Sequence, residues 1–267
     1  MLSSDGRYLP RYHGSKKFSL SRVFTHARAL AFENLGPLVV IGVLVAAAPR
    51  LGIRILMLFV LPLLWQSPLP VGWWAPVLLV IGLTINHLLP SYLLVGAIAE
   101  QAADAMEGKP IRILPALRSA IFHLPAMTLC ALAVGLTIAL SLPLLLIPAI
   151  AIVPLMMPAP ASCVVRKHGP RAAFAESVEI SKGNRWAIIL AGGGWFTAIS
   201  MLGQATEYLL TAAMAVGVAT SISLLIVPAI LLLSLEAIIG ACVTIAIYTE
   251  ARQVANHQAA LYRIADA

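Results

Sequence analysis

From Ile121 to Val165 the chain runs for 45 residues without an Asp, Glu, Lys or Arg. At ~1.5 Å per helical residue that is roughly twice the ~30 Å hydrocarbon core of a bilayer, so the run must fold back on itself. The turn falls between Ser141 and Pro148, because Pro143 and Pro148 each lack the N–H that a continuous helix requires. The same alternation of apolar runs and short charged segments predicts spans near Leu35–Leu51, Trp73–Ala99, Phe122–Leu142, Leu144–Val165, Trp186–Gly203 and Ala219–Tyr248. The expected fold class is all-α: a polytopic membrane bundle of six transmembrane helices in three hairpins, with interfacial amphipathic helices. Its parts are a cytoplasmic N-terminal segment over residues 1–34, a membrane domain over 35–248 and a cytoplasmic tail over 249–267.

The stretch from Ile53 to Pro70 is apolar but holds Pro62, Pro68 and Pro70 and has only about a dozen residues before Gln66. It reads as re-entrant or interfacial. With six spans, 16 of the 18 Lys and Arg fall on one side, leaving only Arg50 and Arg54 on the other. A seventh span at Ile53 to Leu64 would reverse every later loop and destroy that asymmetry. Both termini are therefore expected in the cytoplasm. Trp65, Trp73 and Trp74 fall at the outer interface and Trp186 at the inner one, where indole's apolar body and N–H favour the headgroup level.

Composition agrees: 60% of residues are hydrophobic and 11% charged, with a mean hydropathy of +0.93, which excludes an ordinary soluble domain. A net charge of +7 would suggest nucleic acid in a soluble protein. Here the charges sit between apolar runs, so the expected partner is the anionic inner leaflet rather than nucleic acid. A second copy or another membrane protein stays open as a partner. Cys130, Cys163 and Cys242 lie in apolar runs at wide spacing and read as small packing residues, not a disulfide framework or zinc cluster. The first 34 residues carry six basic side chains but no apolar core of signal-peptide length, so no cleaved signal is expected.

Three segments preceding the first, third and fifth spans can be superposed without gaps. An offset of 150 aligns Phe24 with Phe174, Leu30 with Ile180 and Asn34 with Asn184, and an offset of 60 aligns Pro110 with Pro170. Each unit would be a short amphipathic helix followed by a membrane hairpin. The clearest runs from Pro170 to Lys182, with Phe174, Val178 and Ser181 near one face, Pro at an allowed first-turn position and Gly183 as a stop. Arg166, Lys167, Arg171, Lys182 and Arg185 around it are candidate lipid-headgroup contacts. After Thr249 the tail offers Val254, Leu261 and Ile264 as the apolar side of a further surface helix.

No metal-binding H-E-x-x-H, G-x-S-x-G elbow, P-loop or G-x-G-x-x-G occurs, so neither enzyme chemistry nor a cofactor is expected. The triple glycine Gly192 to Gly194 lies within a span and reads as close helix packing. Glu236, in LLLSLEAIIG of the sixth span, is the sharpest intramembrane signal, since a carboxylate there must be protonated, paired or hydrated. His87, with Asn86 beside it, is its expected partner, and functional and structural readings both stand. Glu236→Gln is expected to spare stability. On the outer side Arg50 and Arg54, four apart, would form an ion pair with Glu207. Pro143, Pro148, Pro154, Pro158 and Pro160 make the fourth span a candidate pathway element.

RALAFENLGPLVVIG from Arg28, the run from Leu144 through PASCVVRKHGPRAAFAESVEISKGNRW, and AIYTEAR from Ala246 resemble the YciC-like and glycerophosphodiester phosphodiesterase membrane-domain group. The resemblance covers nearly the whole chain after about Ser19 and is most specific from Pro154 to Trp186. It implies a six-helix bacterial inner-membrane protein largely without assigned activity. In some relatives the membrane part precedes a soluble phosphodiesterase barrel, which this sequence does not carry. The expected function is a non-enzymatic, lipid-associated envelope protein, with a small transporter or channel lined by spans two, four and six as the alternative.

Overall fold

The computed structural model describes residues 17–53, 82, 84, 88–106, 109–141, 147–194, 201, 203–204, 208 and 219–265. Among these the regular structure is entirely helical. Three helices are long and apolar enough to cross a membrane: α2 (Leu35–Ile53), α5 (Leu124–Ser141), and Ile230–His257 within α10 (Ala219–Ala265). A π-helical turn over Val43–Ala47 interrupts α2.

Helix α3 (Leu89–Met106) occupies the interior, with Leu94, Val95, Ala97, Ile98 and Ala102 almost fully buried. It touches α10, α5 and the short α7 (Ala159–Val165). The surroundings of α7 are closed on nearly every side, since all residues from Ala159 to Val164 are buried. A run of Ala, Pro, Ser and Cys permits this because small side chains let neighbouring backbones approach. The expected single span from Leu144 to Val165 is instead two helices, α6 (Ile147–Met156) and α7, parted at Met157 and Pro158. Pro158 and Pro160 have no N–H to continue the ladder. At the other extreme, α10 runs unbroken for 47 residues through Thr249, where the sequence suggested a separate tail helix. Val254 is fully buried in that continuation.

Three short helices stand before apolar ones. α1 (Leu20–Glu33) leads through Asn34 into α2, α4 (Ile113–Phe122) through His123 into α5, and α8 (Pro170–Ile180) through a turn ending at Asn184 into α9 (185–194). Gly183, at φ 82°, sits in the turn that follows α8, in the left-handed conformation that glycine adopts freely. The 150-residue offset coincides with the helix starts, Leu20 on Pro170. The second unit is registered differently: its helix starts at Ile113, three residues after the Pro110 that the sequence placed on Pro170.

The asparagines tie the units together. Asn34 Oδ1 accepts the buried N–H of Ile111, two residues before α4, at 3.2 Å. Asn184 Oδ1 accepts the N–H of Phe18, two residues before α1, at 3.4 Å. The last turn residue of one unit thus satisfies the approach to another unit's helix, twice, in equivalent places. On α8 the buried face is Ala173, Ser177 and Ile180, continued by Ser181, while Phe174 is partly buried and Val178 points outward.

Candidate functional site

A carboxylate in an apolar helix is costly unless an opposite charge or strong donor reaches it. Glu236 lies on α10 with 7% of its side chain exposed, and Arg50, near the end of α2, meets it with NH1 3.3 Å from Oε2 and 1% exposed. Arg50 NH2 also donates to Ser91 Oγ on α3 at 2.8 Å. A Cβ placed on Gly203 would lie 3.6 Å from Glu236 Oε2, so a backbone without a side chain borders the carboxylate. Charge counting had set Arg50 on the outer surface; the structure buries it among α2, α3 and α10. Asn86 and His87, the expected neighbours of Glu236, and Arg54 and Glu207, the expected neighbours of Arg50, lie outside the described residues.

A second carboxylate shares the face of α10. Glu250 follows Glu236 by 14 residues, close to four helical turns, and 1% of its side chain is exposed. Its Oε1 accepts Arg22 Nε at 2.9 Å, Arg22 NH2 at 2.5 Å and the Ser19 N–H at 3.3 Å. One oxygen therefore holds both the start of α1 and its first turn. Glu250 Oε2 is buried without a hydrogen-bond partner among the described residues. His26, one turn further along α1, has its pKa lowered by burial and by Arg22, against an opposing pull from Glu250.

The third polar group closes the corner between α7 and α8. Ser162 Oγ donates to Glu176, which also faces Arg166 Nε at 3.6 Å and His168 Nδ1 at 3.2 Å. Lys167, at φ 55°, makes the turn between them, and Ser177 Oγ donates to the Leu155 carbonyl. The carboxylate stands between the hydroxyl and the imidazole, and Ser162 is fully buried, so the three form a brace for the corner. Of the headgroup candidates, Arg166 is engaged with Glu176, while Lys167, Arg171, Lys182 and Arg185 are exposed.

Sequence reasoning found Glu236 and Arg50 separately but missed Ser91, Glu176 and Glu250. The 14-residue spacing of two acids on one apolar helix was the available signal for Glu250. Cys130 and Cys163, read from the sequence as small packing residues, are buried free thiols with their sulfurs 3.7 Å apart. Among the described residues no three His, Cys, Asp or Glu side chains are grouped to hold a metal ion.

Compared with known protein families, with curated proteins and with solved structures, the chain finds no match in any of the three.

Proposed function

We propose that the chain is a non-enzymatic bacterial inner-membrane protein of the envelope, associated with lipid through its short helices. One observation carries this reading. α1, α4 and α8 each lead directly into an apolar helix, and α1 and α4 leave large apolar side chains exposed: Phe24 and Phe32 on the first, Leu114, Ile121 and Phe122 on the second. Trp186, at the start of α9, is exposed beside Arg185. In water such surfaces invite association, whereas at a headgroup boundary the apolar side faces acyl chains and the cations face phosphate. In this reading six spans form three hairpins, the termini and short helices lie on the cytoplasmic side, and the resemblance to the YciC-like group is one of membrane architecture.

The test is reconstitution of a variant that keeps Trp186 as its sole tryptophan into vesicles of phosphatidylcholine with or without phosphatidylglycerol, with quenching by lipid-borne probes. Quenching that deepens with phosphatidylglycerol is the expected result, and none in either vesicle would sink the reading. Cysteine accessibility should place Gly108 and Gly169 on one side and Gln66 and Thr206 on the other.

A transporter is the second reading, favoured by the buried Arg50–Glu236 pair with Ser91 beside it. A polar group shared by three helices is a place where a pathway could form. Its site would lie between α2, α3 and α10 rather than along the proline-rich helices. Proton or ion flux in wild-type proteoliposomes that disappears in the combined Arg50→Met and Glu236→Leu variant, with its melting temperature kept, would establish it.

A further inference from the structure

Two of the three cysteines meet. Cys130 stands on α5 and Cys163 on α7, 33 residues later, and their sulfurs face each other at 3.7 Å. Both are free thiols, 0% and 1% exposed. Around them α5 turns Met127, Ala131 and Val134 inward, and α7 contributes Ala159, Ala161 and Val164. Ser162, beside Cys163, spends its hydroxyl on Glu176. The pair is therefore set in apolar packing.

Those surroundings select the chemistry that two thiols can do. A thiolate, or two thiolates around a monovalent metal ion, would place an unpaired charge in an apolar interior. Sulfinic and sulfonic acids would do the same. A zinc ion takes four ligands, and among the described residues no third His, Cys, Asp or Glu joins the pair. A disulfide is neutral, and reaching its bond length of about 2.05 Å brings the sulfurs about 1.7 Å closer. The oxidant must come from the apolar side, since neither sulfur is open to water. Leu129 next to Cys130 and Val165 near Cys163 are exposed, so the pair sits one side chain beneath an apolar surface.

We propose that Cys130 and Cys163 are a redox site at which a lipid-soluble quinone converts the dithiol to a disulfide. Each thiol gives up its hydrogen and a sulfur–sulfur bond forms. The two electrons and two protons pass to the quinone, which leaves as hydroquinone. The product pins α7 to α5. Because Ser162 holds Glu176 of α8, the pin extends to the corner that Arg166 and His168 share with that carboxylate. The site does not depend on which headgroups the short helices prefer; it requires only that α5 lie in a bilayer.

The full chain in phosphatidylcholine vesicles, treated with decylubiquinone, tests it. With no Lys or Arg from Ser119 to Val165, one tryptic peptide ending at Arg166 carries both cysteines. Its mass should fall by about 2 Da as two hydrogens leave. Maleimide labelling in denaturant should find one thiol in place of three, and dithiothreitol should restore all three. Cys242→Ala should show the same loss of mass. Cys130→Ala and Cys163→Ala should each keep both remaining thiols, with unchanged circular-dichroism spectra. Ferricyanide, which stays in water, should oxidise the wild type roughly tenfold more slowly, because the sulfurs are shielded from it. An unchanged peptide mass after quinone treatment of the wild type would overturn the proposal, and that result depends on no variant. Thiol loss in Cys130→Ala equal to that of the wild type would overturn it too, by placing the chemistry elsewhere. Equal rates with ferricyanide would overturn the assignment to a quinone. Absence of a headgroup preference in the quenching of Trp186 would sink the lipid-associated reading and leave this result untouched.

Discussion

Arg50 and Glu236 face each other at 3.3 Å inside the bundle, one near the end of α2 and the other well within α10. The attraction offsets two desolvation costs, so the pair is worth little compared with apolar residues of the same size, but either half alone is an uncompensated buried charge. Its value lies in setting which helices meet.

Single removal should therefore be severe. Glu236→Gln is expected to lower stability by about 3–5 kcal/mol, because it leaves the Arg50 guanidinium facing a neutral amide. This reverses the expectation drawn from the sequence, that an amide keeping the shape and hydrogen bonding of the carboxyl group would spare stability. Arg50→Met with Glu236→Leu should recover most of the loss, and thermal unfolding of the single and double variants in one detergent measures the difference. Equal melting temperatures for wild type and Glu236→Gln would mean that the pair does not hold the helices.

Glu250 should act on α1 alone. Its Oε1 gathers the Ser19 N–H and the Arg22 guanidinium, so Glu250→Ala removes three hydrogen bonds from the start of that helix. Arg22 is 42% exposed, and the solvent it keeps reduces the effect. A loss of about 1–3 kcal/mol is expected for the docking of α1. Hydrogen exchange should rise across residues 20–33 and stay unchanged in α5. A uniform rise throughout the chain would contradict a local role.

Docking of α1 should also weaken in acid. Burial, aided by Arg22 and opposed by Glu250, holds the folded-state pKa of His26 below its ordinary value of 6.5. Between 6.5 and that lower value the undocked helix binds a proton that the docked one does not, so stability falls as pH falls through this window. Above 6.5 both forms are neutral and the contribution is constant. His26→Gln should flatten the dependence of α1 exchange on pH between 5 and 7.5, while a slope retained in this variant would assign it to another group.

The triple glycine separates into different roles. A Cβ on Gly192 would fall 2.7 Å from Met157 Sδ and 3.2 Å from Pro154 Cβ, whereas on Gly194 it would meet nothing. Gly192→Val is expected to cost about 1–3 kcal/mol by overpacking α9 against the end of α6. Gly194→Val should leave the melting temperature within error. Identical effects at the two positions would show that the contact with Pro154 does not limit the packing.

Much of the helix pattern could be read in advance because hydrophobic run length is a local property. The limits of α2 and α5, the start of α8 at Pro170 and the correspondence of Asn34 with Asn184 all follow from residues close in sequence. Arg50 shows where this fails. Its charge marks a boundary in any count of basic residues, and only the opposing Glu236, on a helix far along the chain, makes its burial tolerable. The partition of α6 from α7 had visible prolines but no rule to say which of five would part the helix. Asn34 was found by repetition, yet its bond to Ile111 required the second unit to be registered by its helix start rather than by its proline.

The cross-links between units also impose an order on synthesis. Phe18 must await Asn184, which lies 166 residues later, and Arg22 must await Glu250, which lies 228 later. At ~5–20 residues per second the first helix leaves the ribosome roughly 10–50 s before its last partner exists. Through that interval Phe24, partly exposed even in the finished fold, has no docked partner helix beneath it. The earliest piece is the last to dock, so a chain truncated before Glu250 would display an undocked first helix to the proteases that police unfinished membrane proteins.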